Sequence, residues 1–199
     1  MKEILKHYWS EILNSTIIDK LNLKKNKFTL FSLHRQETVN NKSKLEMILN
    51  NITKFCHLMG EKIIWPIHPR TLDKINTFGL KLPNSILTIK PLNFIDYVNL
   101  QINSNLIISD SGTLSEEASL LGLSALNLRE QFERQEILGE EKIPLIGFNE
   151  KSWKASINVA LDNKRKTSPT SPLPSYNKDN VSDLILSNII SYLVKIKNL

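Results

Sequence analysis

Short apolar runs alternate along the chain with longer stretches in which apolar residues recur every three or four positions. The first kind reads as buried strands and the second as amphipathic helices. Strands are predicted over 28–33, 62–67, 86–89, 106–108 and 125–128, with a sixth over 143–146. Over 43–59, Leu45, Ile48, Leu49, Ile52, Phe55, Cys56 and Met59 fall on one helical face. Further helices are predicted over 71–77, 93–101, 114–122 (closed by Gly122) and 150–162. In the last of these Trp153, Ile157, Val159, Ala160 and Leu161 supply the apolar bulk. Residues 1–16 also read as helical, and 179–195 as a final helix with Val181, Leu184, Ile185, Ile189, Leu193 and Val194 on its apolar side.

Strand and helix therefore alternate, which predicts an α/β fold: a parallel sheet with helices on both faces. The expected division is a helical arm over 1–27, a main domain over 28–162, a Ser/Pro-rich loop over 163–178 and a closing helix over 179–199. Open parallel sheets take ligands at the carboxyl ends of their strands. Four polar segments fall there: 32–37, 68–70, 110–113 and 129–136.

Composition narrows the function. Among 199 residues, 41% are hydrophobic and 23% charged, so a packed core is expected. The net charge is +6, but the lysines are scattered and no basic run is interleaved with aromatics, so nucleic acid is not an expected partner. Cys56 is the single cysteine, which excludes an internal disulfide framework and fits a reducing compartment. Residues 1–10 lack the apolar stretch of a signal peptide, and no apolar run reaches the length of a membrane span. A cytoplasmic protein without membrane partners is expected.

The strongest candidate for chemistry is the run Asp110-Ser111-Gly112-Thr113-Leu114-Ser115-Glu116-Glu117, which follows a strand and opens a helix. Gly112 permits a tight turn and close backbone approach. Free amides at a helix start, aided by the dipole, favour a phosphate. Ser111 and Thr113 add hydroxyls, and Glu117 lies one turn further in, where a carboxylate can accept from ribose hydroxyls. The competing explanation is a helix cap made by Asp110 or Ser111. His34 and Arg35 form a second candidate: the arginine offers a planar donor fork, and the histidine could bind phosphate or transfer a proton. Against it stands an ordinary surface pair between Arg35 and Glu37. His68 ends the second strand, but no Cys/His spacing supports a metal. Arg134, ordered by Glu133, could reach a diphosphate.

Together these segments resemble the carboxyl-terminal domain of the UDP-N-acetylglucosamine 2-epimerase family. The resemblance rests on His34-Arg35-x-Glu37, on His68 within WPIHPR, on ISDSGTLSEEASLLG at 108–122 and on LREQFERQE at 128–136. The wording of the 108–136 block looks closest to a bacterial branch acting on modified UDP-sugars such as UDP-2,3-diacetamido-glucuronate. The family resemblance implies one Rossmann-like half of a GT-B fold, with the active site in the cleft between two halves. It implies that His34 and Arg35 lie at the diphosphate, that Ser111 and the amides of Gly112 and Thr113 hold phosphate, that Glu117 holds the ribose and that Arg134 is a nucleotide-site arginine. His68, Asp110 and Glu133 would support them. The implied reaction inverts C2 by eliminating UDP and adding it back, without metal or nicotinamide, in surface polysaccharide biosynthesis.

The chain departs from the family pattern at Gln135, where a proline is usual, at Phe132, where a small polar residue is common, and at Leu92, where some members carry glutamine. The family also has another domain ahead of this one, which supplies the acidic residues that handle the C2 proton. Nothing ahead of Phe28 is expected to encode it. The expected partners are UDP or a UDP-amino sugar, a separate chain carrying the other half, and a second copy of this chain. A nucleotide-binding remnant without activity, or half of a UDP-glycosyltransferase, would share the same layout.

Overall fold

Five short strands form one parallel sheet in the computed structural model, which describes residues 1–131, 143–166 and 172–197. The strands are β1 (Phe28–Ser32), β2 (Lys62–Pro66), β3 (Ile86–Ile89), β4 (Leu106–Ser109) and β5 (Ala125–Asn127). The helices are α1 (Lys2–His7), α2 (Trp9–Leu13), α3 (Ile17–Lys20), α4 (Gln36–Val39), α5 (Lys42–Met59), α6 (Pro69–Thr77), α7 (Phe94–Asn103), α8 (Leu114–Leu121), α9 (Glu150–Lys166) and α10 (Val181–Lys197). The strands are rich in β-branched and aromatic residues, which suit a pleated surface covered on both sides.

Alternate strand residues feed two separate cores. Phe31, Ile63, Trp65, Leu106, Ile108 and Leu126 pack with α5, α6 and α9 on one face. Phe28, Leu30, Ile64, Ile107 and Ala125 pack with α3 and α8 on the other, joined by Leu100 of α7. Helices thus cover both faces. Phe31 and Trp65 meet edge to face, their centroids 4.7 Å apart. Burying side chains of this size contributes about 1.5–3 kcal/mol each. The residues expected on the inner face of α5 are buried, with Met59 partly so. Asn41 caps α5 by accepting from the Lys44 amide, and Gly60 ends it at φ 62°. Gly122 ends α8 in the same left-handed conformation.

Strand order is β3-β2-β1-β4-β5. The chain therefore lays β2 and β3 on one side of β1, then crosses through α7 to build β4 and β5 on the other. Crossovers change face at that reversal: α5 and α6 lie on one face, α7 and α8 on the other. The loops leaving β1 and β4 lie side by side at that reversal and are bonded to each other, at the end of the sheet where open parallel sheets take ligands.

Three expectations change. The sixth strand reduces to an isolated bridge between Asn127 and Leu145, so 143–146 adds one contact to the sheet edge and no strand. The helix expected over 150–162 runs to Lys166. In α10 the apolar side is wider than expected: Leu186, Tyr192 and Ile196 share a face with Ile185, Ile189 and Leu193, and these residues are exposed, as are Leu184 and Ile190. The 1–27 segment packs on the domain. Leu5 and Ile12 bury against Val98 of α7, and the Asn99 side chain donates to the Ile12 carbonyl at 2.7 Å. Among the described residues, no helix is long and apolar enough to cross a membrane.

Candidate functional site

Ser32 and Ser109 end β1 and β4 directly opposite each other, and their hydroxyls lie 2.6 Å apart. Tyr97 of α7 donates to Ser32 at 3.3 Å, and the Ser111 amide donates to Ser109 at 3.0 Å. Desolvation pushes the Tyr97 phenol up to about 12, so it stays a donor at neutral pH. These hydroxyls join the ends of β1 and β4 to α7 and to the loop that precedes α8.

Asp110 ties the two loops together. Its side chain is fully buried, yet its carboxylate is satisfied by three donors. The His34 amide lies 3.1 Å from Oδ2, the Arg35 amide donates to Oδ2 at 2.8 Å, and His34 Nδ1 donates to Oδ1 at 2.9 Å. The Asp110 backbone is fixed as well: buried Arg129 donates from Nε and Nη2 to its carbonyl at 3.0 and 2.7 Å. From the opposite side, Thr71 of α6 donates to the Leu33 carbonyl at 3.3 Å. The Asp110 hydrogen bond raises the His34 pKa above its ordinary value, while partial burial and the charges of Arg35 and Arg129 oppose it. The His34 ring remains about half exposed. Capping of α8 by Asp110 is therefore excluded, because its carboxylate faces the β1 loop.

At the start of α8 the Ser111 and Thr113 hydroxyls lie 3.1 Å apart, and Thr113 Oγ1 donates to Glu117 Oε1 at 2.8 Å. Buried Gln101 of α7 donates to Glu117 Oε2 at 2.5 Å. Burial pushes the Glu117 carboxyl up, and the two hydrogen bonds work against that rise. The first amides of α8 have no partners within the helix. The Thr113 amide meets Ser111 Oγ at 3.4 Å, the capping role weighed for Ser111 from sequence, and the Glu117 carboxylate lies one turn further along the helix.

The structure brings His34, Arg35, Asp110, Ser111, Gly112, Thr113 and Glu117 together at the carboxyl ends of β1 and β4, and it modifies some of their expected parts. Gly112 is not among the glycines with positive φ, so the turn itself does not require a glycine there. The Arg35 guanidinium donates to Glu37 at 2.8 Å, the surface pair weighed from sequence, while its amide serves Asp110. His68 caps α6, its Nδ1 accepting from the Arg70 amide at 3.2 Å. Glu133 and Arg134 lie outside the described residues, as do Phe132 and Gln135. Leu92 packs at the edge of the second core. Sequence reasoning assigned no role to Gln101, Ser109 or Tyr97, and placed Ser32 and Arg129 at strand ends without giving them their part. The one sequence signal for Gln101 is a glutamine closing the helix predicted over 93–101, and it does not name Glu117 as its partner.

A doubly wound parallel sheet with its polar cluster at the strand reversal defines a Rossmann-like ligand-binding domain. The chain belongs to the UDP-N-acetylglucosamine 2-epimerase family, whose model matches residues 1–190. A UDP-N-acetylglucosamine 2-epimerase from Methanococcus maripaludis is 36% identical over 146 residues, 71% of this chain and 40% of the relative. The structure of UDP-N-acetylglucosamine 2-epimerase from Rickettsia bellii superposes with a TM-score of 0.82 at 34% identity, covering 98% of this chain and 53% of that one. The Methanocaldococcus jannaschii enzyme in complex with UDP-GlcNAc and UDP superposes with a TM-score of 0.79 at 26% identity, covering 94% and 51%. The domain is thus one half of a GT-B arrangement, and the chain spans about half the length of these relatives or less.

Proposed function

We propose that the chain is the UDP-holding half of a UDP-sugar 2-epimerase, which inverts C2 of a UDP-N-acetylhexosamine or a modified derivative in the cytoplasm, for surface polysaccharide. The observation that carries this reading is the juxtaposition of His34 with the start of α8, through the shared Asp110 carboxylate. Ser111 and the amides of Gly112 and Thr113 receive a phosphate; His34 and Arg35 lie beside it; Glu117 accepts from the ribose hydroxyls. Arg134, presented by the loop that carries Glu133, completes the diphosphate contacts.

Elimination of UDP needs two things: a base for the C2 proton and stabilisation of the charge on departing UDP. The proposed site supplies the second through a helix start, a cationic imidazole and hydroxyl donors. Its own carboxylates are poorly placed for the first, because Asp110 is fully buried under three donors and Glu117 is held by Gln101 and Thr113. The base is accordingly assigned to the half of the relatives that this chain does not span. The exposed apolar face of α10 supports such a partner, since an apolar helix face is normally covered.

The test is an epimerisation assay on the purified 199-residue chain. UDP binding without conversion of UDP-N-acetylglucosamine is expected. Conversion by this chain would overturn the assignment of the base to another segment.

A further inference from the structure

The carboxylate at the end of β4 spends its chemistry on other protein groups. Asp110 is fully buried, so it cannot meet a nucleotide directly. Its carboxylate nevertheless joins the β4 loop to the β1 loop, and Arg129 fixes the Asp110 backbone carbonyl from the β5 end. We propose that Asp110 is a positioning residue for nucleotide binding: it anchors the β1 loop by the His34 and Arg35 amides and grips His34 by Nδ1, so that Nε2 is the nitrogen offered to a phosphate. This rests on the proposed nucleotide site and adds a reason for its geometry.

An imidazole with free rotation presents either nitrogen, in either tautomer. A carboxylate on Nδ1 fixes the ring and keeps a proton there, leaving Nε2 as the second donor of an imidazolium. A phosphate gains a charge-assisted hydrogen bond from that form. The charged groups facing the ring are Asp110 from the β4 loop, Arg35 beside it and Arg129 from the β5 loop. The two arginines favour loss of the ring proton, so its retention depends on Asp110. Loss of Asp110 therefore makes the ring neutral at a lower pH. UDP affinity then declines with rising pH from a lower midpoint than in the wild type. The titration of UDP itself is common to both proteins and cancels in the comparison.

Two measurements test this. Histidine side-chain NMR of the ligand-free chain, with His34 assigned by loss of its signals in His34→Asn, is expected to show His34 titrating above the ordinary histidine value. The same ring in Asp110→Asn is expected to titrate lower. Calorimetry with UDP is expected to give affinity weaker by about tenfold in Asp110→Asn near neutral pH, with a smaller difference in mild acid. His34→Asn is expected to add little further loss in that background, because the two act as one unit. An ordinary His34 titration in the wild type overturns the proposal, and that spectrum needs no folded Asp110 variant. Full additivity of the two substitutions also overturns it. Absence of UDP binding by the wild type, with His34 titrating as expected, overturns the nucleotide site and the positioning role with it, while leaving the Asp110 grip as a structural contact.

Discussion

At the residue scale, Glu117 sets the stability of the fold against the binding role proposed for it. It is 7% exposed, and burial raises its pKa against the pull of Gln101 and Thr113. A carboxyl raised above its unfolded value contributes most below the unfolded pKa and loses that contribution as pH rises through the folded pKa. The charged form at neutral pH is therefore a cost to the fold. Gln101 Oε1, buried and without a hydrogen bond, could accept from an amide at position 117. Glu117→Gln is predicted to melt a few degrees above wild type at neutral pH, with the advantage shrinking as pH falls through the raised folded value and gone only well below about 4, where the carboxyl is neutral in the folded and unfolded chain alike. It is also predicted to bind UDP more weakly. Thermal melts across that range check the first statement; a variant less stable than wild type at every pH would refute it. Glu117 was readable in the sequence because it follows a glycine turn at a helix start. Gln101 was not, because it belongs to another helix and meets Glu117 only when α7 packs beside α8. Asp110 is legible in the sequence as a supporting residue or a cap, but not as the tie between two loops, since the His34 and Arg35 amides that it receives are remote in sequence.

At the element scale, most strands and helices were legible because period alone distinguishes them. The run 86–89 is a strand with the expected bounds, and α5 shows the expected buried face. The bridge at Leu145 shows the limit: four apolar residues suit a strand, but pairing depends on what the sheet edge offers. Helix α10 was legible as a helix, whereas its lack of cover was not. Its side chains from Val181 to Ile196 are exposed, so the sheet does not depend on them. Replacing Ile185, Ile189 and Leu193 by glutamine is predicted to reduce self-association in sedimentation runs while shifting the melt by no more than about 2 °C. A melt lowered well beyond that would mean that α10 packs against the domain.

At the scale of the whole molecule, the strand order matters more than any single motif. Placing β4 next to β1 turns two segments 76 residues apart into one site. The alternation of strands and helices announced a parallel sheet, and the family resemblance supplied the expectation of a nucleotide there. Neither revealed the Asp110 and Arg129 ties between the loops, since these need three strand ends side by side. The family gives the fold its place as one half of a GT-B arrangement, and the proposed nucleotide site is built from that half's strand ends. Both rest on the claim that UDP seats at the start of α8. Calorimetry with UDP on the wild type beside Ser111→Ala and Glu117→Ala measures this directly. Saturable binding by the wild type, lost or weakened at least about tenfold in both variants, is the predicted result. A folded wild type that fails to bind UDP, or variants that bind it equally well, would contradict it.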